Sequence, residues 1–435
     1  MEPVQFTPES DMLFHWMVHN KSNKCIPVIP SNPVASAEFT TLFNELDNAV
    51  KWVNNAKRKH GCDFYNASMN TIKKRADVPK PSTFDMASIP KQIRDHIYNY
   101  STNVITYHTQ IHGRQFSAVF VVDHNDIISQ VGTFNKYFDR MVQWLHIALK
   151  YSPKTCGKNI TTYLYFSPTT KQLPADKNIH INQYHANTAF TYSCPSGLAE
   201  IVIFRREEWF KVFIHETFHL LSLDFSAMSS DNEKCADTMR DLFPIKSTFQ
   251  MYEAYTETWA VLLNACFCSY YCLDGRDNLS EFIDATRFLL RLEVTFKVAQ
   301  MHKILQFMNL DYDTLTRTDS ASREKTMSLY TEETNIFAYH IAATILMCNF
   351  EEFIKWCGVN NTSTSSASSA FAFKQTGTTT TSFCQFITDH HLSKNTMHII
   401  HSITSKDCYS ELMQNAKGDN AWVRTSMRLS VCEME

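Results

Sequence analysis

"VFIHETFHLLSLDF", residues 212–225, places His215, Glu216 and His219 in the pattern H-E-x-x-H inside an otherwise apolar run. On a helix, residues four apart lie on one face with Cβ atoms about 5–6 Å apart, so the two imidazoles can bind one ion. Catalytic zinc sites use three protein ligands and a water molecule. The stretch therefore predicts a helix with two ligands of a zinc site, and a third ligand from elsewhere in the chain.

Short β-rich segments precede this stretch and predict a small mixed β-sheet. They are "ITTYLYFS" (160–167), "NTAFTYS" (187–193) and "AEIVIF" (199–204). Each contains β-branched and aromatic residues, and turn-forming residues separate the first two. The third segment leads directly into the helical pattern of residues 205–223. A strand followed by an apolar helix is the context that an H-E-x-x-H motif needs, and the sequence predicts it here.

The third ligand has to come from outside the stretch, and there are two ways to supply it. In the metzincin pattern, H-E-x-x-H-x-x-G-x-x-H, a glycine and a third histidine follow the motif. This chain has Ser222 and Phe225 at those positions, which excludes the pattern. The second way uses "YEAYTETWA" (252–260), where Glu253 and Glu257 lie four apart on an otherwise apolar helix. Buried carboxylates are rare unless they are paired or bound to a metal, so these two are candidate ligands.

H-E-x-x-H followed by E-x-x-x-(D/E) on a later helix resembles the gluzincin group of zinc metallopeptidases. The resemblance implies that His215 and His219 are zinc ligands and that Glu216 is the general base. It implies further that Glu253 is the third ligand and that Glu257 orients His215. Two departures leave an exchange of roles between Glu253 and Glu257 open. The second carboxylate is Glu where Asp is usual, and Glu253 follows His219 by 34 positions.

The resemblance covers residues 199–265 and implies a zincin-like core. Within it, "YEAYTE" is similar to the corresponding run in dipeptidyl carboxypeptidases of the angiotensin-converting type. More weakly, residues 201–226 resemble uncharacterised H-E-x-x-H proteins of large DNA viruses of eukaryotes, a family that brings no activity with it. Both resemblances are confined to the surroundings of the motif.

The chemistry that these residues imply is hydrolysis of a peptide bond. Zinc lowers the pKa of a bound water from about 15.7 to about 7. Glu216 would take the proton of that water and pass it to the leaving amine. The oxyanion needs a further donor, for which Tyr339 and His340 in "FAYH" are the candidates, with Tyr330 as another. A polypeptide substrate is expected to pair with the edge strand before the motif helix, residues 199–204.

Composition and charge restrict the partners and the location. With 41 basic and 44 acidic residues, the net charge of −3 provides no field that would attract nucleic acid or an anionic membrane. The longest apolar run, residues 259–273, is shorter than the roughly 20 residues that span a bilayer, and the N-terminus lacks the pattern of a signal peptide. The 13 cysteines show no repeated spacing, which indicates reduced thiols. We therefore expect a cytoplasmic protein, or one carried in a virion, that is not secreted.

The chain as a whole is expected to be an α+β protein in three regions. Residues 1–151 form a mixed N-terminal region, 152–275 the zincin-like catalytic core, and 276–435 a helical region with a Ser/Thr-rich loop at 361–383. The 9 glycines form no G-x-G-x-x-G or G-x-x-x-x-G-K pattern, which argues against a nucleotide enzyme of the Rossmann or P-loop kind. The sequence thus predicts a Zn²⁺-dependent metallopeptidase. The alternative is a non-enzymatic interaction or virion protein that retains a zinc-stabilised zincin fold.

Overall fold

The computed structural model describes residues 5–18, 25–123, 127–275, 278–361 and 370–435. Its β-strands lie in the first half of the chain and form one sheet. In chain order they are β1 (Asn66–Thr71), β2 (Asn103–Ile111), β3 (Arg114–Val122), β4 (Asn159–Tyr165), β5 (Ala189–Thr191) and β6 (Ala199–Ile203). In the described ranges after β6 the named elements are helices, which confirms the predicted α+β class with a helical second half. The region boundaries at 151 and 275 stay predictions, and the sheet continues across the first of them.

The sheet is mixed, and its strand order is β1-β2-β3-β4-β6-β5. β1, β2 and β3 are antiparallel neighbours, and a two-residue turn at His112 and Gly113, both at positive φ, joins β2 to β3. β3, β4 and β6 run parallel, and β5 folds back antiparallel to β6. The edge strand on this side is therefore β5, and the expectation that residues 199–204 form the edge is wrong. The short segment before β6 pairs along its outer side, which the pattern within one strand cannot reveal.

Helices surround the sheet and make up most of the second half of the chain. Those before β6 are α1 (Pro8–Val18), α2 (Pro33–His60), α3 (Lys91–Tyr100), α4 (Ile127–Tyr151) and α5 (Gln183–Ala186). After β6 come α6 (Trp209–Leu220), α7 (Ser229–Leu242), α8 (Met251–Cys272), α9 (Leu279–Phe307), α10 (Tyr312–Thr316) and α11 (Ser320–Leu329). A π-helical turn at Phe337–Ala342 precedes α12 (Ala343–Cys348), α13 (Phe350–Asn360), α14 (Gly377–His390) and α15 (Lys394–Thr404), and a second one at Lys406–Ser410 precedes α16 (Glu411–Asn415). None of the helices that the structure describes combines the length and the apolar character needed to span a bilayer.

The two faces of the sheet bury different clusters. Ile201 and Ile203 of β6 face the larger core, which contains α4, α6, α8 and α9, whereas Val202 faces a smaller core that includes α3. Every residue of α6 is buried, because β6 and α8 both pack against it. A helix that is buried all round can hold polar side chains only if they have partners. The polar residues of α6 and α8 therefore need a partner within the protein or a ligand.

The motif helix is shorter than its sequence pattern. The pattern covers residues 205–223, but α6 begins at Trp209. Glu208 takes a left-handed conformation, with φ 58°, and its buried carboxylate accepts hydrogen bonds from Lys171 Nζ and from the Leu429 amide. These partners are distant in the chain, so the residues around Glu208 give no local sign of them.

The Ser/Thr-rich segment 361–383 is partly helical. Residues 362–369 lie outside the described ranges. From Gly377 onward the segment belongs to α14, and Thr376 caps this helix by accepting a hydrogen bond of 3.2 Å from the Thr379 amide. The prediction of a loop is therefore wrong for the C-terminal part of the segment, because threonine is favourable at a helix N-terminus as well as in loops.

Among the cysteines that the structure describes, six form disulfide bonds. The pairs are Cys25–Cys408, Cys156–Cys194 and Cys235–Cys384. The prediction of reduced thiols is wrong for these six, because partners up to 383 positions apart come together only in the fold. The Cys156–Cys194 bond links the segment before β4 to the connection between β5 and β6.

Candidate metal centre

α6 and α8 pack against each other and bring three potential ligand atoms together. Nε2 of His215 and Nε2 of His219 are 3.2 Å apart. Glu253 Oε2 lies 3.2 Å from the first nitrogen and 3.4 Å from the second. A tetrahedral zinc ion with bonds of roughly 2.0–2.1 Å requires ligand atoms about 3.3 Å apart. The separations of the three atoms therefore match a tetrahedral zinc site.

The contacts of the other two ring nitrogens indicate where the histidines carry their protons. His219 Nδ1 bonds to Asp224, and His215 Nδ1 lies 3.3 Å from Glu257 Oε2. Because an ionised carboxylate can only accept, Nδ1 of His219 carries a proton. The negative charge of Glu257 favours a proton on Nδ1 of His215 as well, although the two are not aligned for a hydrogen bond. In the neutral rings each Nε2 is then left with a lone pair. Two such lone pairs and an oxygen of Glu253 converge within 4.8 Å. Three acceptors at these distances repel one another unless a proton or a metal ion lies between them.

The two candidate carboxylates of α8 have different surroundings. Glu257 accepts hydrogen bonds from Lys211 Nζ, at 2.9 and 3.1 Å, and from Lys297 Nζ, at 2.9 Å. Both of its oxygens are thus engaged, and it meets His215 on the Nδ1 side. Glu253 instead faces both Nε2 atoms. This geometry favours Glu253 as the third ligand and Glu257 as the carboxylate that orients His215.

Asp224 is a further carboxylate of the site, and it was not identified from the sequence. It is fully buried and bonds to His219 Nδ1. It also accepts hydrogen bonds from Ser226 N at 3.0 Å, Ser226 Oγ at 2.7 Å and Thr256 Oγ1 at 3.1 Å. Ser222, at φ 55°, turns the chain after α6 so that Asp224 returns to the imidazole. An aspartate between two apolar residues is the signal that could have identified it.

Burial and neighbouring charges set the protonation of the candidate ligands. Burial alone would raise the pKa of Glu253, yet that pKa lies well below its usual value because His219 and His215 stabilise the charged form. Burial lowers the pKa of His219, but Asp224 and Glu253 outweigh burial and hold that pKa well above its usual value. Without a metal ion, protons on the imidazoles therefore neutralise the site. A metal ion has to replace such protons when it binds.

Glu216 lies beside the three ligand atoms without being one of them. Its side chain is 7% exposed and lines a cavity of about 30 Å³ together with His215, Tyr339, Thr188 and Ala189. Within the described ranges, no residue donates a hydrogen bond to its carboxylate. Burial raises the pKa of Glu216 above its usual value. Glu216 is thus available to accept a proton from a water molecule, for which the cavity has room.

Of the three candidate oxyanion donors, Tyr339 is the one that lies at the site. Its hydroxyl donates a hydrogen bond of 3.2 Å to Glu253 Oε2, and its ring is 5.9 Å from the ring of His215. His340 is buried away from the lining of the cavity, and its ring nitrogens have no hydrogen-bond partner among the residues that the structure describes. Tyr330 donates to a glutamate two residues further on. Adjacent residues of a helix point in different directions, so Tyr339 and His340 do not face the cavity together.

No protein-family model, curated protein or solved structure matches this chain. The resemblance to gluzincins and the weaker resemblance to viral H-E-x-x-H proteins stay predictions. The assignment of the site therefore depends on the geometry at α6 and α8.

Proposed function

We propose that the protein is a zinc-dependent metallopeptidase with a zincin-like core. The observation that carries the proposal is the convergence of acceptor atoms from His215, His219 and Glu253 at the spacing of a tetrahedral zinc site. Both Nδ1 atoms face carboxylates, as is usual for zinc-bound histidines. The substrate would be a polypeptide, and a cytoplasmic or virion location stays a prediction.

The residues around the cavity can be given roles in hydrolysis. When bound, zinc would lower the pKa of a water molecule and polarise a peptide carbonyl. Glu216 would accept a proton from the water on its carboxylate and pass it to the leaving amine. Its burial supports this role, because a raised pKa brings the carboxylate closer to the pH at which it must both accept and donate. Tyr339 would donate a hydrogen bond to the developing oxyanion after turning away from Glu253.

β5 supplies an edge at which an extended polypeptide would bind. Phe204 N donates a hydrogen bond of 2.9 Å to Thr188 O, so Thr188 and Phe190 belong to the hydrogen-bonded pairs of the β5–β6 ladder. The backbone groups of Ala189 and Thr191 consequently point away from β6. They lie at the sheet edge next to the cavity and can pair with a substrate strand.

A second candidate function is that of a non-enzymatic interaction protein in which zinc stabilises the fold. The small cavity and the low exposure of His215 and His219, 6% and 8%, favour it. A peptidase with this arrangement has to open before a polypeptide can reach Glu216. The two candidates share the zinc ion and differ in the role of Glu216.

Metal analysis and peptide-library cleavage by the purified full chain test the proposal. We expect one zinc ion per chain, and in Glu216→Gln a cleavage rate lower by at least about 10²-fold with zinc content and melting temperature unchanged, because general-base catalysis contributes about 10²–10⁴-fold. Glu324→Gln, at an exposed carboxylate on α11, is the matched control and should cleave like the wild type.

Three results would decide against the proposal. A chain that takes up no zinc, even when purified with zinc, refutes both candidate functions. A zinc-containing wild type that cleaves no peptide favours the interaction protein. Cleavage that is the same in wild type and Glu216→Gln shows that the activity does not come from this site.

A further inference from the structure

Three aromatic side chains form a cluster beside β5, which we call the aromatic cluster: Phe84, Phe190 and Tyr192. Phe84 is stacked on Tyr192, with ring centroids 4.5 Å apart and an interplanar angle of 15°, and lies 4.8 Å from Phe190. Tyr192 is 55% exposed, and the other two side chains are partly exposed. Contacting rings with an exposed face can bind a further apolar side chain. Because Phe190 belongs to β5, the cluster is continuous with the proposed substrate edge.

The pleat of β5 decides which substrate residue meets the aromatic cluster. Phe190 pairs with Val202, whose side chain faces the smaller core, whereas Ala189 and Thr191 lie on the face of the larger core with α6. In an antiparallel pair, residues directly opposite each other place their side chains on the same face. A substrate residue opposite Phe190 therefore places its side chain against the cluster, and its two neighbours point towards α6.

The direction of β5 sets where that residue lies relative to the cleaved bond. Thr188 and Ala189 line the cavity with Glu216, and each following residue of β5 is about 3.4 Å further along. An antiparallel substrate pairs more favourably than a parallel one, and it runs from Tyr192 towards Thr188. Its amino-terminal part therefore lies along the cluster. Ala186, Asn187, Thr188 and Ala189 all line the cavity, and Ala189 is the one that belongs to β5. With the residue opposite Ala189 placed directly before the cleaved bond, the residue opposite Phe190 is the second one on the amino-terminal side of that bond.

We propose that the protein selects polypeptides with an aromatic or large aliphatic residue at the second position before the cleaved bond, and that Phe84, Phe190 and Tyr192 form the subsite for it. This inference rests on the proposed function. Tyr192 supplies the exposed ring that the substrate side chain covers, and Phe84 holds that ring by stacking. A charged side chain at this position is disfavoured, because it loses hydration against the rings.

Peptide binding to the zinc-loaded Glu216→Gln chain tests the subsite separately from catalysis. The probes are fluorescently labelled alanine hexapeptides with blocked termini that contain one Phe, one Leu, one Asp or no substitution. We expect the Phe and Leu peptides to bind at least about tenfold more tightly than the other two, from burial of one apolar side chain. Equal binding of the four peptides would overturn the inference.

Substitutions at the exposed ring show whether the aromatic cluster is responsible. Adding Tyr192→Ala should remove most of the preference, whereas Tyr192→Phe should keep it, because only the ring is needed. Phe288→Ala, at a 43% exposed aromatic residue on α9, is the matched control and should leave the preference unchanged. A preference that survives in Tyr192→Ala, with its melting temperature unchanged, would contradict the assignment.

Cleavage profiling of the wild type distinguishes failure of this inference from failure of the proposed function. We expect cleavage sites enriched in Phe, Tyr and Leu at the second position, and loss of that enrichment in Tyr192→Ala. Cleavage without enrichment leaves the peptidase proposal standing and refutes the subsite. An aromatic preference in binding, without any cleavage by the zinc-loaded wild type, supports the subsite and refutes the peptidase.

Discussion

Two polar clusters lie one helical turn apart between α6 and α8, and their charged groups obtain their partners in different ways. In the lysine cluster, the ammonium groups of Lys211 and Lys297 lie 2.9–3.1 Å from the carboxylate of Glu257, so the chain provides both signs of charge. In the candidate metal centre, formed by His215, His219 and Glu253, the lone pairs of two imidazoles and a carboxylate face one another, and a proton or a metal ion has to come from solution. The charged groups of the lysine cluster have their partners within the chain, and those of the candidate metal centre do not.

The difference shows that a buried polar residue on an apolar helix is not by itself the sign of a ligand site. Glu253 and Glu257 lie four residues apart on the same face of α8, and both contact His215. Only the partners from other helices distinguish them. A buried carboxylate whose two oxygens accept hydrogen bonds from the protein indicates a structural cluster, and an excess of acceptors indicates a place for a cation.

The largest effect is expected when the lysine cluster is broken. Glu257→Gln should lower the free energy of unfolding by about 3–5 kcal/mol in the presence of EDTA, because two buried ammonium groups lose their carboxylate. Glu253→Gln should cost less under the same conditions, since His219 keeps its partner Asp224 and His215 can release its proton near neutral pH. Urea unfolding of the full chain measures both values. An equal or smaller cost for Glu257→Gln would contradict the distinction between the clusters.

A smaller effect is expected at Asp224, which bonds to the candidate ligand His219. Asp224→Asn should weaken zinc binding about 10–100-fold, because the amide is uncharged and holds His219 less firmly than the carboxylate. Competition with a zinc chelator measures the affinity. Asp237→Asn, at an exposed carboxylate on α7, is the control and should bind zinc like the wild type. An unchanged affinity in Asp224→Asn would show that this hydrogen bond does not support the metal.

Zinc affinity and the stability of the metal-free protein are expected to depend on pH in opposite directions. Zinc affinity should fall about tenfold per pH unit and per displaced proton as pH decreases below the raised pKa of His219. The free energy of unfolding of the metal-free protein should change in the opposite direction and increase as pH decreases. A group whose pKa is higher in the folded than in the unfolded protein stabilises the fold. This contribution is fully present below the unfolded pKa and is lost as pH rises through the folded pKa.

Zinc titrations between about pH 6 and about pH 9 test the pH dependence of zinc affinity, and urea unfolding with EDTA over the same range tests the pH dependence of stability. Asp224→Asn should shift the pH dependence of zinc binding to lower pH, because Asp224 is the largest of the charges that raise the pKa of His219. A zinc affinity that does not change with pH would mean that no proton is displaced from the imidazoles.

The spacing of residues within short segments was sufficient to predict which candidate ligands lie close together. The pairs His215/His219 and Glu253/Glu257 are each four apart, and a helix places such pairs on one face whatever the rest of the fold does. The three β-rich segments before the motif and the two helices that carry these pairs were predicted for the same reason, because their periodicity is contained in a short window. The choice between the two glutamates could not be made in this way, since it depends on lysines from α6 and α9.

Features that depend on distant pairing were missed. β5 became the edge strand because three residues fold back on β6, and nothing within either segment specifies which side they take. The Cys156–Cys194 bond and the contact of Glu208 with the C-terminal segment likewise join parts of the chain that only the tertiary structure brings close. Asp224 is close to the motif in sequence, but its role requires the left-handed turn at Ser222.

The complete burial of α6 has a consequence for kinetics. With His215 and His219 only 6% and 8% exposed, we expect an ion held between them to leave when the surrounding segments separate for a moment. Its exchange with a chelator would then proceed at the opening rate of the protein, however much chelator is present. The same opening is needed for a polypeptide to reach Glu216, so the lifetime of the ion and the turnover of the substrate would share one rate-limiting motion.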